Sequence, residues 1–333
     1  MIHPIPPGTR DVLPEEMREL RRLQAALLAV FEARGYGEVA TPAIEYDEVL
    51  ARGDGRSASS GYRFFDESGD LLALRAEMTV PIARLVASRY AGAEMPVRLC
   101  YMANAYRAVR PQRGQMREFV QAGVELIGAP APQGTAEVIE VLEAALSAAG
   151  LDRAVIGLGD SDLYRQLLAE YGVEGEARDS VLERLAMHDL VGLEAELSAI
   201  EGIGDEQCET CVALSQLRGG REVLDEARAL GGAAVGRATA RIGETFEELE
   251  RRGAADRVRI DLGLLRDLGY YSGAILEVYD PAVGHVLGGG GRYDGLLARF
   301  GADRPAAGFA MYLERLHVAQ MEEEPRPEGE SNE

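Results

Sequence analysis

Cysteine is scarce in this chain: three in 333 residues, an odd number. That excludes a disulfide framework and points to a reducing, cytoplasmic compartment. Positive charge is short as well, with Lys+Arg 35 against Asp+Glu 56, a net charge of −21 and a pI near 4.7. Such a balance repels phosphate backbones, so gripping nucleic acid is excluded as the main task, although one small basic site remains compatible with it. No apolar run approaches the ~20 residues needed to span a bilayer. The opening MIHPIPPGTRDVLPEE has no basic segment followed by an apolar core, so no secretory signal is expected. Internal repeats are missing. So is regular βαβ alternation, which disfavours a doubly wound parallel sheet.

Hydrophobic residues make up 47% of the chain and charged residues 27%, enough for a sizeable core. Leu20, Leu23, Leu27, Val30 and Phe31 recur at helical spacing and predict a helix from about Pro14 to Arg34. Pro14 suits its first turn, and Gly35 stands just past its end. A strand ending in Thr41-Pro42 should follow, because the residue before proline avoids the helical region. Residues 52–70 read as a mobile loop leading into a hairpin, and Thr79 to Tyr90 as a helix. Strands are expected at 97–107 and 117–127, joined by the turn VRPQRGQM. From 134 to 255 the texture is helical, with one strand at 154–158, and 257–320 returns to strands and glycine. The expected fold class is α+β, an antiparallel sheet flanked by helices. Its first part would occupy 1–150 and its second 256–320, interrupted by a mainly helical insertion at 151–255 and followed by a disordered acidic tail at 321–333.

The most informative segment is REFVQAGVELIG. Alternation along a strand gives Val120, Ala122, Val124 and Leu126 one face and Phe119, Gln121, Gly123 and Glu125 the other. The second face sets an amide and a carboxylate roughly 13 Å apart, at ~3.3 Å per residue, across a bare glycine. Two explanations stay open: a floor for a small polar ligand, or a solvent-facing strand surface. YYSGAILEVY repeats the construction, with Tyr271, Gly273, Ile275, Glu277 and Tyr279 sharing a face. The run Gly288 to Gly291 costs backbone entropy and marks a bend or a close approach to a ligand or another backbone. In LRAEMT, Thr79 suits either a helix N-cap or a ligand contact, and Glu77 alone would be an ordinary surface acid. Arg107 and Arg315 are candidates for carboxylate or phosphate contact, since the guanidinium fork matches both.

Other chemistry finds no support. The four histidines are scattered, and no Ser/His/Asp motif accompanies them. Cys208 and Cys211 form a lone C-x-x-C without the second pair a zinc site needs. The glycine run lacks the strand–loop–helix spacing of a phosphate-binding loop. No catalytic residue, metal or cofactor is expected.

Taken together, the segments resemble the catalytic core of histidyl-tRNA synthetase, a class II aminoacyl-tRNA synthetase, from about residue 5 to 320. PPGTRDVLPEE looks like the family's opening, EVATPAIE like its motif 1, RAVRPQRGQMREFVQAGVELIG like motif 2 and GFAMYLERL like motif 3. LRAEMT, LRDLGYYSG and GGGGRYDGL resemble its histidine-site segments. The resemblance implies that Glu77, Thr79 and Gln121 hold the α-ammonium group of histidine, and that Glu125 and Tyr271 hold the imidazole nitrogens. It places Arg266 near the carboxylate and Tyr293 in the pocket, with Arg107 and Tyr270 in the same histidine-binding set. A motif 1 of this kind implies a homodimer.

The departures from the family pattern carry the functional expectation. Motif 2 reads Tyr106-Arg107-Ala108-Val109 where the family has Phe-Arg-x-Glu, and valine cannot accept the hydrogen bond that glutamate takes from ATP. An unpaired buried donor costs roughly 1–3 kcal/mol. Tyr312 stands where motif 3 has a glycine that lets ATP approach, and Met78 follows Glu77 where the family has glycine. The chain ends soon after motif 3, so the ~100-residue anticodon-binding domain and tRNA binding are not expected. This combination resembles the regulatory subunits of short-form ATP phosphoribosyltransferase. The resemblance implies a non-catalytic chain of a hetero-oligomer that binds free histidine, is needed by a separate catalytic subunit, and takes part in feedback inhibition of histidine biosynthesis. The alternative is a histidine-activating enzyme, either a truncated synthetase or an amino-acid ligase.

Overall fold

Pro14 opens helix α1 (Pro14–Ala33), whose Leu20, Leu23, Leu27 and Phe31 are buried along one stripe. The chain then turns at Gly35, whose φ of +80° a side chain would strain. The computed structural model describes residues 5–53, 61–108, 116–266 and 269–323. Part of the 52–70 loop (54–60), most of the VRPQRGQM turn including Val109, and the tail from 324 lie outside the described residues.

The strands are β1 (Gly37–Glu38), β2 (Ile44–Tyr46), β3 (Arg63–Phe65), β4 (Leu71–Leu74), β5 (Val97–Tyr106), β6 (Glu118–Ile127), β7 (Val155–Asp160), β8 (Arg218–Gly219), β9 (Val258–Asp261), β10 (Ala274–Tyr279), β11 (Val286–Arg292) and β12 (Ala306–Tyr312). After α1 the helices are α2 (Asp47–Gly53), α3 (Thr79–Arg89), α4 (Gln133–Ala148), α5 (Leu163–Glu170), α6 (Gly175–Ala186), α7 (Leu190–Ser198), α8 (Asp205–Gln216), α9 (Val223–Ala229), α10 (Ala233–Arg252) and α11 (Leu313–Glu323). The expected strand ending at Thr41-Pro42 is shorter than the sequence suggested. β1 stops at Glu38, and the Thr41 carbonyl and hydroxyl accept hydrogen bonds from Arg75 instead of joining a ladder.

Nine strands form one mixed sheet in the order β1-β5-β6-β12-β11-β10-β7-β9-β8. Its centre, from β5 to β7, is antiparallel, while β1 with β5 and β7 with β9 are parallel. Strand β7 comes from the segment expected to be mainly helical, yet it pairs directly with β10. Helix α10 packs nearby through Val235, Ala238, Ile242 and Leu249, and Arg241 holds the buried Asp160 at the end of β7 through two 2.8 Å hydrogen bonds. The chain contains no lysine, so arginine carries nearly all of its ion pairing.

The two faces of the sheet differ sharply. Cys100, Val124, Leu126, Leu276, Val278, Phe309 and Met311 point into a core shared with α1, α4 and α10. On the other face, the register brings glycines into a row: Gly123 opposes Ala310, which opposes Gly289, while Glu125 opposes Gly308, which opposes Gly291. The row continues through β10 to Gly157 and Gly159. A second, smaller core covers this face, with Met78, Ile82, Val86, Tyr101, Tyr270 and Tyr293.

A separate three-stranded sheet, β2-β4-β3, stands beside α2 and α3. Its pairing puts Ile44, Tyr46, Phe64, Leu72 and Leu74 on one side, and Ile44, Tyr46 and Phe64 are exposed. Among the described residues no helix is long and apolar enough to cross a membrane.

Candidate functional site

Glu77 is 8% exposed, far from the surface acid its sequence context suggested. Its carboxylate accepts hydrogen bonds from the backbone N–H groups of Thr79 (2.7 Å) and Val80 (2.9 Å), so it satisfies the unpaired donors at the start of α3. The capping role expected of Thr79 therefore falls to Glu77. That frees the Thr79 hydroxyl, which donates to Glu125 Oε1 at 2.9 Å.

Glu125 is 1% exposed. Tyr101 donates a longer hydrogen bond, 3.4 Å, to the same Oε1, and Tyr293 makes a short one to Oε2. The carboxylate lies against Gly308, where an added Cβ would come within 1.9 Å of Oε2. Burial drives the carboxyl up to about 8, and the nearby Glu77 adds to this; hydrogen bonds from Tyr293, Thr79 and Tyr101 pull the other way without prevailing. Glu77 is also raised, again through burial, and is restrained by its two backbone donors and by Arg107.

The other end of the face is cationic. Arg107 donates to the Ala76 carbonyl and to the Tyr312 hydroxyl, both at 3.3 Å. Arg266 reaches the Leu276 carbonyl at 3.1 Å, and its guanidinium lies so close to Gly289 that a Cβ there would fall 1.4 Å from its nitrogen. Arg315 donates to the Val286 carbonyl. Among the described residues none of the three is paired with a carboxylate. Burial pushes the Tyr312 phenol up, but Arg107, Arg266 and Arg315 outweigh it and leave the phenol below its ordinary value. Gln121 is 3% exposed, and its Oε1 has no hydrogen-bond partner among the described residues.

Glu77, Thr79, Arg107, Gln121, Arg266, Tyr270, Tyr271 and Tyr293 thus line one narrow cavity of about 30 Å³, floored by Gly289, Gly290 and Gly308. An amino acid enters such a space only with movement of its wall, and the half-buried Arg107, Arg266 and Tyr271 form its outer side. Of the nine residues named from the sequence, Glu125 alone sits behind the wall, screened by Thr79 and Tyr293. Arg315 stacks on Tyr312 without lining the cavity. Sequence reasoning missed Tyr101, because its place opposite Gly123 depends on the β5–β6 register. It also treated Tyr312 only as a departure from a pattern, although its ring is part of the wall.

One acid, two arginines and an amide oxygen without a partner among the described residues, set around a single cavity, suit a small zwitterion. A family model described as histidyl-tRNA synthetase matches residues 8–316. The ATP phosphoribosyltransferase regulatory subunit of Moorella thermoacetica is 42% identical over 323 residues, covering 96% of this chain and 83% of its own. That of Symbiobacterium thermophilum is 43% identical over 325 residues, covering 96% and 80%. A solved structure from Bacillus halodurans, described as an ATP phosphoribosyltransferase regulatory subunit/histidyl-tRNA synthetase, superposes with TM-score 0.87 at 34% identity, covering 96% of this chain and 84% of that one. A histidine–tRNA ligase subunit from Alicyclobacillus acidocaldarius gives TM-score 0.84 at 30% identity, covering 98% and 99%. The chain belongs to the histidyl-tRNA synthetase family and, within it, to the ATP phosphoribosyltransferase regulatory subunits.

Proposed function

We propose that this non-catalytic regulatory subunit binds free histidine in the cavity and makes a catalytic ATP phosphoribosyltransferase subunit both dependent on it and responsive to histidine. Glu77, Thr79 and Gln121 take the α-ammonium group, Glu125 and Tyr271 the imidazole, and Arg266 with Arg107 the carboxylate. The observation that carries this reading is the Gln121 Oε1, buried without a donor among the described residues on the wall of a cavity that Glu77, Arg107 and Arg266 also line. Histidine then acts by linkage, binding two arrangements of the complex with different affinity. A ratio of ~100 supplies about 2.7 kcal/mol, enough for strong inhibition. A cytoplasmic setting without tRNA fits the three free cysteines and the acidic surface.

Calorimetry of the chain with histidine tests this. One histidine per chain is expected, and Gln121→Ala should weaken it about tenfold, the worth of one hydrogen bond to a charged group. No heat of binding from the wild-type protein would remove the histidine-binding role.

We also infer a homodimer through the exposed apolar side of β2-β4-β3, which adjoins the motif 1 segment. Phe64→Glu should weaken self-association at least about tenfold by sedimentation equilibrium, because it buries a charge in that interface. Unchanged association would place the interface elsewhere.

A further inference from the structure

Tyr270 and Tyr271 reach the cavity from a stretch of chain outside the sheet, so its backbone groups must be satisfied elsewhere. Strand β10 begins at Ala274, which pairs with Asp160, the last residue of β7. Just before it, Gly273 turns the chain with a φ of +74°, a conformation that other residues adopt only under strain. Both backbone groups of Gly273 are held by the residues that follow β7. The Ser161 N–H donates to the Gly273 carbonyl at 2.7 Å, and the Gly273 N–H donates to Asp162 Oδ2 at 3.3 Å. Ser272, one step nearer the cavity, is tied to the opposite side. Its N–H donates to the Arg292 carbonyl at 2.8 Å, and its hydroxyl accepts from the Asp294 N–H at 2.9 Å. Tyr271 comes next, packed so closely on β11 that a Cβ on Gly291 would lie 3.1 Å from a carbon of its ring.

The anchor is itself held from the helices. Asp162 donates its N–H to Asp160 Oδ1 at 3.0 Å, and the fully buried Asp160 carboxylate takes two 2.8 Å hydrogen bonds from the Arg241 guanidinium of α10. Arg241 is the cation that lets the neighbouring acids stand together, and Arg165 on α5 faces Asp162 as well. Asp160, Asp162 and Arg241 do not line the cavity, so they serve a ligand only through Gly273. We propose that Asp162 is a positioning residue of the ligand site, and that Arg241, Asp160 and Asp162 tie α10 to the Tyr271 wall. The helical segment then sets how firmly that wall stands. A ligand enters the closed cavity only as the wall moves. A wall without its anchor must be ordered again on binding, which lowers affinity. The proposal rests on the reading of the cavity as a histidine site for its ligand measurement alone.

Calorimetry of the full chain with histidine is the first measurement. Asp162→Ala should bind at least about tenfold more weakly than wild type, whereas Asp162→Asn, which keeps an oxygen for the Gly273 N–H, should stay within about threefold. Arg241→Gln should weaken binding about fivefold. Joined to Asp162→Ala it should add little, because the two act along one chain of contacts. Arg237→Gln, one turn away on α10, breaks surface bonds to Gln166 and Glu170 and should leave affinity unchanged. The second measurement needs no ligand. The chain has no tryptophan, so Tyr271→Trp puts a single such fluorophore on the wall. Adding Asp162→Ala should raise its quenching by acrylamide at least about twofold, as expected of a segment that opens locally. The proposal is overturned if Asp162→Ala, folded by circular dichroism, leaves that quenching unchanged. It is equally overturned if Asp162→Asn loses as much affinity as Asp162→Ala, or if Arg237→Gln loses as much as Arg241→Gln. A wild-type chain that binds no histidine would remove the ligand reading, and the quenching would still decide whether Asp162 holds the wall.

Discussion

Replacing Glu125 by glutamine should lower histidine affinity about a hundredfold, close to 2.7 kcal/mol, while raising the stability of the unliganded chain at pH 8. Both effects come from one buried carboxyl. For the ligand, the carboxyl can give up its proton when an imidazole reaches it and an amide cannot, and losing the charge-assisted bond so formed costs more inside a protein than losing a neutral one. For stability the sign follows from the shift. The folded-state value of about 8 lies above that of an unfolded glutamate near ~4.3, so between those values the folded chain holds the extra proton. The contribution is fully present below the unfolded value and is lost as pH rises through 8. Glutamine has no proton to lose, so the mutant's advantage should be small at pH 5 and grow to a few kcal/mol by pH 8. Urea melts of both proteins at the two pH values, with calorimetry at pH 7, check the pair. A mutant that binds histidine within threefold of wild type, or whose stability difference ignores pH, would contradict the role given to Glu125.

Gly123→Ala should cost the fold about 2–4 kcal/mol, because overpacking a well-filled site forces its neighbours to shift. The new methyl group would come within 2.2 Å of the Phe309 carbonyl oxygen and 2.5 Å of the Tyr101 hydroxyl. The first is backbone of the neighbouring strand and cannot rotate aside, so β6 and β12 must part at the centre of the sheet. Gly157 in the same row is the control. A Cβ there meets nothing closer than the Tyr279 ring at 3.4 Å, an ordinary contact. Gly157→Ala should therefore be neutral, or gain a few tenths of a kcal/mol from a stiffer unfolded chain. Equal urea midpoints for the two variants would show that the glycine row is not there for want of space.

Much of this arrangement was legible in the residue order because strands alternate. The face of Phe119, Gln121, Gly123 and Glu125 could be read from REFVQAGVELIG before any partner strand was known, and the helical stripe of α1 followed from its leucines. What alternation cannot supply is register. That Gly308 opposes Glu125, and that Tyr101 opposes Gly123, is set by pairing between strands far apart in the chain. Burial was misjudged for the same reason: Glu77 looks solvent-exposed in LRAEMT, and only the packing of α3 on the glycine face encloses it. The two edge strands of the sheet left no trace in composition, since β1 and β8 are two residues long.

The placement of β12 between β6 and β11 also fixes when the glycine-floored cavity can form. A ribosome delivers β5 and β6 early, and they can close as a hairpin, but their neighbour arrives only after the whole helical segment and residues 257–292 have been made. Until residues 306–312 emerge, Glu125 has no Gly308 to lie on and Gln121 faces water. Under the proposed histidine reading, a half-made chain therefore lacks the floor of the site, which is complete only once residues 306–312 have paired.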